Sequence, residues 1–463
     1  MRNNVLIWLT GWSFSTFNSF HRWVARIATV EAALHGISYT VEGFLDGGKA
    51  EYIENWSEQY WRMGVIAVIS MSFLCIFSIY PMRRYKYELF LLLHLAFAVL
   101  CIGTLWYHVA IFDGQYNPYI WPCVAVWVLD RVLRLCRLGL LNLSKLQATI
   151  RYNKDADIIH LTVPVRGISR PRAGSYYFLY SLNGLKFWES HPFTLMSWSE
   201  VGAQNTKQAA LELSFLVRPQ DGFTARLRDH VSQKSCSYNE SGTSQVSIRM
   251  AVEGPYGHTF GLSHYQNVLM VVGGTGVTVA LSHLCMIRDI AAANKNPAFS
   301  IRRVQLDWVV RDSYMFEDIY ENELLPLWSS RVFSGDIGLE IHIYVVEDGS
   351  TTPLSATDRD TKMNRFSSKI ISDGCMDDTG KTMSSSDTQC DTGSTPKITL
   401  SRGRPAVQRL VQERAEESHV NEQKMAVICC GPGSMMDDAR AGVVCSMVNG
   451  FDEIDFFPES FRW

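Results

Sequence analysis

Val268-Leu269-Met270-Val271-Val272-Gly273-Gly274-Thr275-Gly276-Val277-Thr278 decides the fold of the C-terminal half. Five large apolar residues with no polar alternate read as a strand buried on both faces. Three glycines then break the run, and an apolar helix is expected from about Leu281 to Ile290. Working outward, Gln305 to Val310, Leu339 to Val346 and Met425 to Cys429 are further buried strands. Strands alternating with helical segments predict a parallel α/β domain that binds a nucleotide. Glycines at the turn let the backbone approach a pyrophosphate, and the helix N-terminus favours its charge. The glycine spacing is not G-x-G-x-x-G, which argues against a Rossmann dehydrogenase.

Upstream, from about Ala148, short β-rich runs alternate with turns: Asp157 to Val163, Tyr176 to Tyr180, Ala210 to Val217 and Val246 to Val252. Short strands at this spacing predict an antiparallel barrel. Between about Asp348 and Ile398 the composition shifts to Ser, Thr, Asp and Gly, so a disordered insertion is expected there.

The first 139 residues differ from both regions, carrying long apolar runs rich in Trp, Phe and Tyr. A spanning helix needs about 20 mostly apolar residues. Four segments are expected to span: about Phe14 to Tyr39, Met63 to Tyr80, Leu89 to Phe112 and Tyr119 to Leu138. Arg22 and Arg26 make the first the least apolar; long side chains there snorkel to the interface. The basic run Arg83-Arg84-Tyr85-Lys86 and Arg131, Arg134 and Arg137 place their ends in the cytosol. The acidic loop expected from Val41 to Trp61 then lies outside, with the sequon Asn55-Trp56-Ser57. Asn142 and Asn239 begin sequons on the cytosolic side, so the tripeptide alone carries little weight. No signal-peptide pattern opens the chain. The eleven cysteines show no zinc or disulfide framework, and a formal net charge of −3 gives no footprint for nucleic acid.

Four histidines stand out in the apolar part. His21 and His35 are fourteen positions apart on the first segment, as are His94 and His108 on the third. Fourteen residues are close to four helical turns, so each pair shares a face, with its two levels about 21 Å apart. The two segments run in the same direction. His21 thus meets His94 at one level and His35 meets His108 at the other. Facing imidazoles suit a six-coordinate haem iron. A lone intramembrane histidine is often a packing residue, but two equal spacings on parallel helices argue for function.

In their order, these motifs give the chain a resemblance to the fungal ferric-chelate reductases, and more distantly to the NADPH oxidases, over nearly its whole length. That family joins a transmembrane haem domain (here 1–140) to a β-barrel FAD domain (141–263) and an α/β NADPH domain of ferredoxin-reductase type (264–463, with the insertion at about 348–398). The resemblance implies FAD, NADPH and two haem b, ligated by His21, His35, His94 and His108. His191-Pro192-Phe193-Thr194 is similar to the family's flavin motif, with the Thr194 hydroxyl near the hydride-accepting atom. Arg218 and Gly222-Phe223-Thr224 correspond to its flavin phosphate clamp, and an arginine fork suits a pyrophosphate. Gly254-Pro255-Tyr256-Gly257 resembles the turn entering the nicotinamide domain, and Gly273-Gly274-Thr275-Gly276-Val277-Thr278 the dinucleotide turn. Arg311, and more weakly Arg404, take the place of the residues that hold the adenosine 2′-phosphate. Cys430-Gly431-Pro432-Gly433 is similar to the motif beside the nicotinamide. The ending Phe457-Pro458-Glu459-Ser460-Phe461-Arg462-Trp463 resembles the signature whose terminal aromatic covers the flavin. Family members carry two or more helices before the first haem helix, so the resemblance implies an N-terminal truncation.

The expected activity is electron transfer from cytosolic NADPH through FAD and two haems to an external ferric or cupric chelate. The expected setting is a multi-pass protein of the plasma membrane. A superoxide-producing NADPH oxidase shares every motif, and a non-catalytic membrane partner is the reading of another class. The acceptor and the oligomeric state are not legible in the chain.

Overall fold

A computed structural model describes residues 5–12, 14–142, 147–166, 171–182, 189–201, 210–234, 243–257, 259–293, 299–311, 313–328, 332–333, 337–346 and 397–459. These form two compact units, Met1–Cys136 and Arg137–Trp463.

In the first unit the helices are α1 (Val5–Thr10), α2 (Phe14–Asn55), α3 (Gln59–Phe77), α4 (Tyr80–Tyr85), α5 (Tyr87–His108) and α6 (Asn117–Leu141), the last crossing into the second unit. All four expected segments are helical. Two of them, Gln59–Phe77 and Tyr87–Phe112, meet the length and hydropathy a membrane crossing needs. The outward surface is apolar: Trp23, Ile37, Leu92 and Val99 are each more than half exposed. That is the face a helix turns to lipid, since helices satisfy their own backbone polar groups there.

The acidic loop expected from Val41 to Trp61 is not a loop. Helix α2 continues to Asn55 through a break at Gly48, whose φ is 63°. The reason is local. Left-handed backbone at glycine costs little, and the reversal stacks Tyr52 on Phe44 at 4.6 Å. Trp56 and Trp61 pack edge-on against Tyr52. Contacts among aromatic rings thus organise a segment whose charges read as a loop.

The second unit holds the barrel and the α/β domain. Strands β1 (Gln147–Asn153), β2 (Ile158–Arg166), β3 (Tyr176–Ser181), β4 (Ser190–Val201), β5 (Ala210–Val217) and β6 (Thr243–Tyr256) close in the order β1-β2-β5-β4-β3-β6. Alternate residues such as Ile150, Leu161, Leu179, Leu213 and Met250 fill the interior. Helix α7 (Phe223–Lys234) adds Phe223, Leu227 and Val231 to that core.

Strands β7 (Asn267–Gly273), β8 (Arg303–Val310), β9 (Gly338–Val345), β10 (Lys397–Arg402), β11 (Met425–Cys430) and β12 (Ile454–Glu459) form the parallel sheet, ordered β10-β9-β8-β7-β11-β12. Val268, Met270 and Val272 face one core, and Leu269 and Val271 the other. The unbroken apolar run therefore reflects burial on both faces. Helix α8 (Val277–Ala292) covers the first face. Helices α9 (Ser313–Ile319) and α10 (Leu325–Trp328) follow β8, while α11 (Val407–Val420) and α12 (Gly433–Val448) cover the second. Helix α8 begins directly after the glycine turn, four residues earlier than its apolar run suggests. Strand β10 starts at Lys397, inside the expected insertion; residues 347–396 lie outside the described ones.

Barrel and sheet share one core, since Ile158, Met196 and Leu216 join the cluster around β7 and α8. Polar contacts reinforce the seam. His160 and Asn153 bind Asp318, and Trp198 Nε1 donates to Asp289 at 2.9 Å.

Gly254 shows how tightly the barrel is filled. A Cβ there would lie 2.4 Å from the ring of Tyr177, itself buried. Overpacking of this kind costs about 1–3 kcal/mol. Gly254→Ala should lower the thermal midpoint of the protein accordingly, as calorimetry would record.

Candidate functional site

The sheet's order reverses between β7 and β11: successive strands run outward from β7 to β10, and the chain then returns to β11 on β7's other side. Open α/β sheets bind ligands at the carboxyl ends of the strands flanking such a reversal. Two strand–turn–helix units meet there. One is β7, Gly273–Gly276 and α8; the other is β11, Cys430–Gly433 and α12.

Their approach demands glycine. A Cβ at Gly276 would lie 2.5 Å from the Cys430 carbonyl oxygen, and one at Gly273 3.1 Å from the Pro432 ring. A Cβ at Gly431 would reach Met435 Sδ at 2.6 Å. Gly274 adopts a φ of 55°, and its carbonyl accepts a 3.0 Å bond from Trp308 Nε1. The side chains of Val277 and Thr278 do not face the crevice. Val277 is core, and Thr278 Oγ1 donates to the Thr275 carbonyl at 3.0 Å. These two residues offer a ligand backbone only.

Cys430 is buried beneath the turn, and burial pushes its thiol well above the ordinary value, helped by nearby Glu459. It is a protonated, soft contact and not a thiolate. Glu459 is its register partner on β12. Burial raises the Glu459 carboxyl to about 7. Sequence reading did not single out Glu459, because its position beside Cys430 exists only once β11 and β12 pair. Strand β12 is docked: Phe457 stacks on Phe260 at 4.0 Å, and Asp455 accepts from Tyr265 at 2.6 Å. Residues 460–463, Trp463 among them, lie outside the described ones. Arg311 follows β8 and Arg404 follows β10, so both stand at the carboxyl edge of the sheet, two strands apart.

On the barrel, His191 to Thr194 lie along β4, where alternate residues face opposite sides. His191 stacks on Phe223 at 4.7 Å, and Phe193 lies 6.2 Å from the same ring. Pro192 and Thr194 therefore face the other side, opposite Phe178 and Tyr176 in register. Tyr176, Phe178 and Tyr256 form an aromatic cluster there. The motif divides its work, with His191 and Phe193 anchoring α7 and Pro192 and Thr194 bordering an aromatic platform. Glu189 sits behind His191 and accepts from it at 3.3 Å while also binding Arg226. Burial alone would raise the Glu189 carboxyl, but these two partners outweigh it and hold the group below the usual range. Glu189 and Arg226 lie outside the motif as read from sequence.

Gly222 adopts a φ of 80° ahead of α7. Thr224 closes that turn on itself, accepting from the Gln220 N–H at 2.8 Å and donating to the Gln220 carbonyl at 3.1 Å. Arg218 is exposed on the loop after β5. Glu253 is buried and accepts from Tyr180 and Tyr256.

In the apolar unit the paired histidines meet as their spacing predicts. The His21 and His94 ring centroids are 6.2 Å apart, and those of His35 and His108 are 6.1 Å apart. Helix α3 packs on both α5 and α2, whereas α2 and α5 make no comparable contact. The imidazoles project into the space between them.

Three family descriptions match the chain in order. "Ferric reductase like transmembrane component" matches residues 1–105, "FAD-binding domain" 141–260 and "Ferric reductase NAD binding domain" 265–444. The fold and these matches define a membrane flavoprotein with a nicotinamide-binding domain. Over these three segments, in the same order, the chain is similar to ferric reductases. It is 30% identical to the Ferric/cupric reductase transmembrane component 2 of Saccharomyces cerevisiae and 29% identical to component 3 of that yeast. It is 24% identical to the Ferric/cupric reductase transmembrane component 1 of Candida albicans. Each match covers the whole of this chain, but only 58%, 58% and 54% of the respective relative.

Two outcomes follow from the crevice. Cys430 should stay unlabelled by iodoacetamide at neutral pH until the protein is unfolded, as peptide mass spectrometry would show. The Glu459 carboxyl titrates near 4.5 when unfolded and about 7 when folded. Its contribution to stability is therefore complete below the first value and lost as pH rises through the second. Glu459→Gln should gain stability over the parent between pH 5 and pH 8, by on the order of 1–3 kcal/mol. Denaturation at the two pH values measures the difference.

Proposed function

We propose that this chain passes electrons from NADPH, through FAD and two b-type haems, to a chelated ferric or cupric ion across the plasma membrane. The observation that carries this reading is the pair of histidine contacts. A metal–imidazole bond is about 2 Å, so two such bonds plus the ring radii give roughly the 6 Å between centroids found at both levels. The residues therefore fit bis-histidine haem. His21 and His94 would hold the haem on the cytosolic side, and His35 and His108 the outer one.

When bound, FAD accepts a hydride and parts with single electrons, and haem relays them one at a time. The chain's own residues bind and orient. The platform of Tyr176, Phe178 and Tyr256 gives a flat ring an apolar bed, and Thr194 offers a hydroxyl at its edge. The exposed Arg218 and the turn at Gly222 suit the flavin phosphates. Gly273–Gly276 and Gly431–Gly433 leave backbone bare for a dinucleotide. The protonated Cys430 offers the nicotinamide a soft, uncharged wall. Arg311, at the end of β8, supplies positive charge for a 2′-phosphate, with Arg404 further along the sheet edge.

His35→Ala should abolish reduction of ferric chelate by whole membranes while dye reduction by the flavin part persists. Equal loss of both activities would overturn the assignment. Running the same assay with superoxide dismutase separates metal reduction from superoxide release. Arg311→Ala should raise the Michaelis constant for NADPH far more than for NADH, since a charge-assisted bond is worth about 1.5–3 kcal/mol. An unchanged preference removes Arg311 from the site.

A further inference from the structure

Helix α3 carries no histidine, yet it touches both histidines of α5. His108 Nδ1 lies 2.9 Å from the backbone carbonyl oxygen of Tyr60, in the first turn of α3. A carbonyl only accepts, so Nδ1 must hold the proton and Nε2 the lone pair. Gly64 makes room for this contact: a Cβ there would stand 2.6 Å from His108 Nδ1. At the other end of α3, Ser78 Oγ lies 3.2 Å from His94 Nδ1. The single hydroxyl hydrogen of Ser78 is spent on the Leu74 carbonyl at 2.5 Å. Its oxygen is therefore left to accept, and His94 must also donate from Nδ1. Because α3 runs antiparallel to α5, its two ends reach the two levels.

We propose that α3 sets the tautomer of both α5 histidines. Ser78 is the positioning residue for His94, and the Tyr60 carbonyl, admitted by Gly64, does the same for His108. The proposal rests on the bis-histidine reading above. Its chemistry is that of an outer-shell partner. A bond from Nδ1–H to an acceptor orients the ring, leaves Nε2 to face a metal and raises the basicity of that nitrogen. A more basic ligand favours ferric over ferrous iron, so losing the bond raises the potential. The two levels differ in one useful respect. The partner of His94 is a side chain that substitution can remove, whereas the partner of His108 is backbone.

The test is a redox titration of the purified full-length holoprotein, followed through the haem absorbance bands. Ser78→Ala should shift one of the two midpoint potentials upward and leave the other in place. Ser78→Thr, which keeps the hydroxyl, should restore the parent value. Gly64→Ala should displace His108 and alter or remove the other haem's signal, leaving that of the first. Two unshifted potentials in Ser78→Ala, or a shift that Ser78→Thr does not reverse, overturn the role of Ser78. Haem content is measured in parallel for His94→Ala. Loss of one haem in that variant keeps the ligand assignment standing whatever Ser78 does. Full retention there overturns the assignment itself.

Discussion

The C-terminal half depends on the side-by-side pairing of β7 with β11. Among the described strands these are the only sheet neighbours that are not consecutive in the chain, and both end in glycine turns that open helices. A crevice forms because Gly273, Gly276 and Gly431 have no side chains to hold the two turns apart. The core arrangement follows from the same pairing. With β7 central, alternate residues must satisfy two separate cores, and the barrel docks on one of them through Ile158, Met196 and Leu216.

In the apolar half the corresponding constraint is a gap. Helices α2 and α5 are held near each other by α3 yet kept from close contact, so four imidazoles occupy the space between them. Every polar group in such a setting needs a partner. Helix α3 supplies acceptors at each end, from the Tyr60 carbonyl and from Ser78. The helix with no histidine of its own thereby bears on how the imidazoles point.

Much of this was legible in the chain. The alternation of apolar residues in β2, β5 and β6 and the unbroken runs in β7 and β11 come directly from side-chain period and burial. The histidine levels were legible because helical rise is regular: fourteen residues on each of two helices brings equal heights. Residues 41–55 were not, because their helix is stabilised by Phe44, Tyr52, Trp56 and Trp61 meeting across a glycine reversal, which no local pattern of charge reveals. The division of the His191–Thr194 motif also needed the structure. Adjacent residues look equivalent in sequence, but only strand pairing shows which two anchor Phe223 and which two face the aromatic platform.

By itself the sequence determined which residue types sit at which heights and turns, since those follow from bond geometry and period alone. Tertiary structure decided what each of them touches. It placed Glu459 beside Cys430, Glu189 behind His191 and Ser78 against His94, pairs separated by between two and twenty-nine positions. Contacts of that kind depend on how strands pair and helices cross, and the free energy behind those arrangements is spread over whole cores instead of residing in any local run of residues.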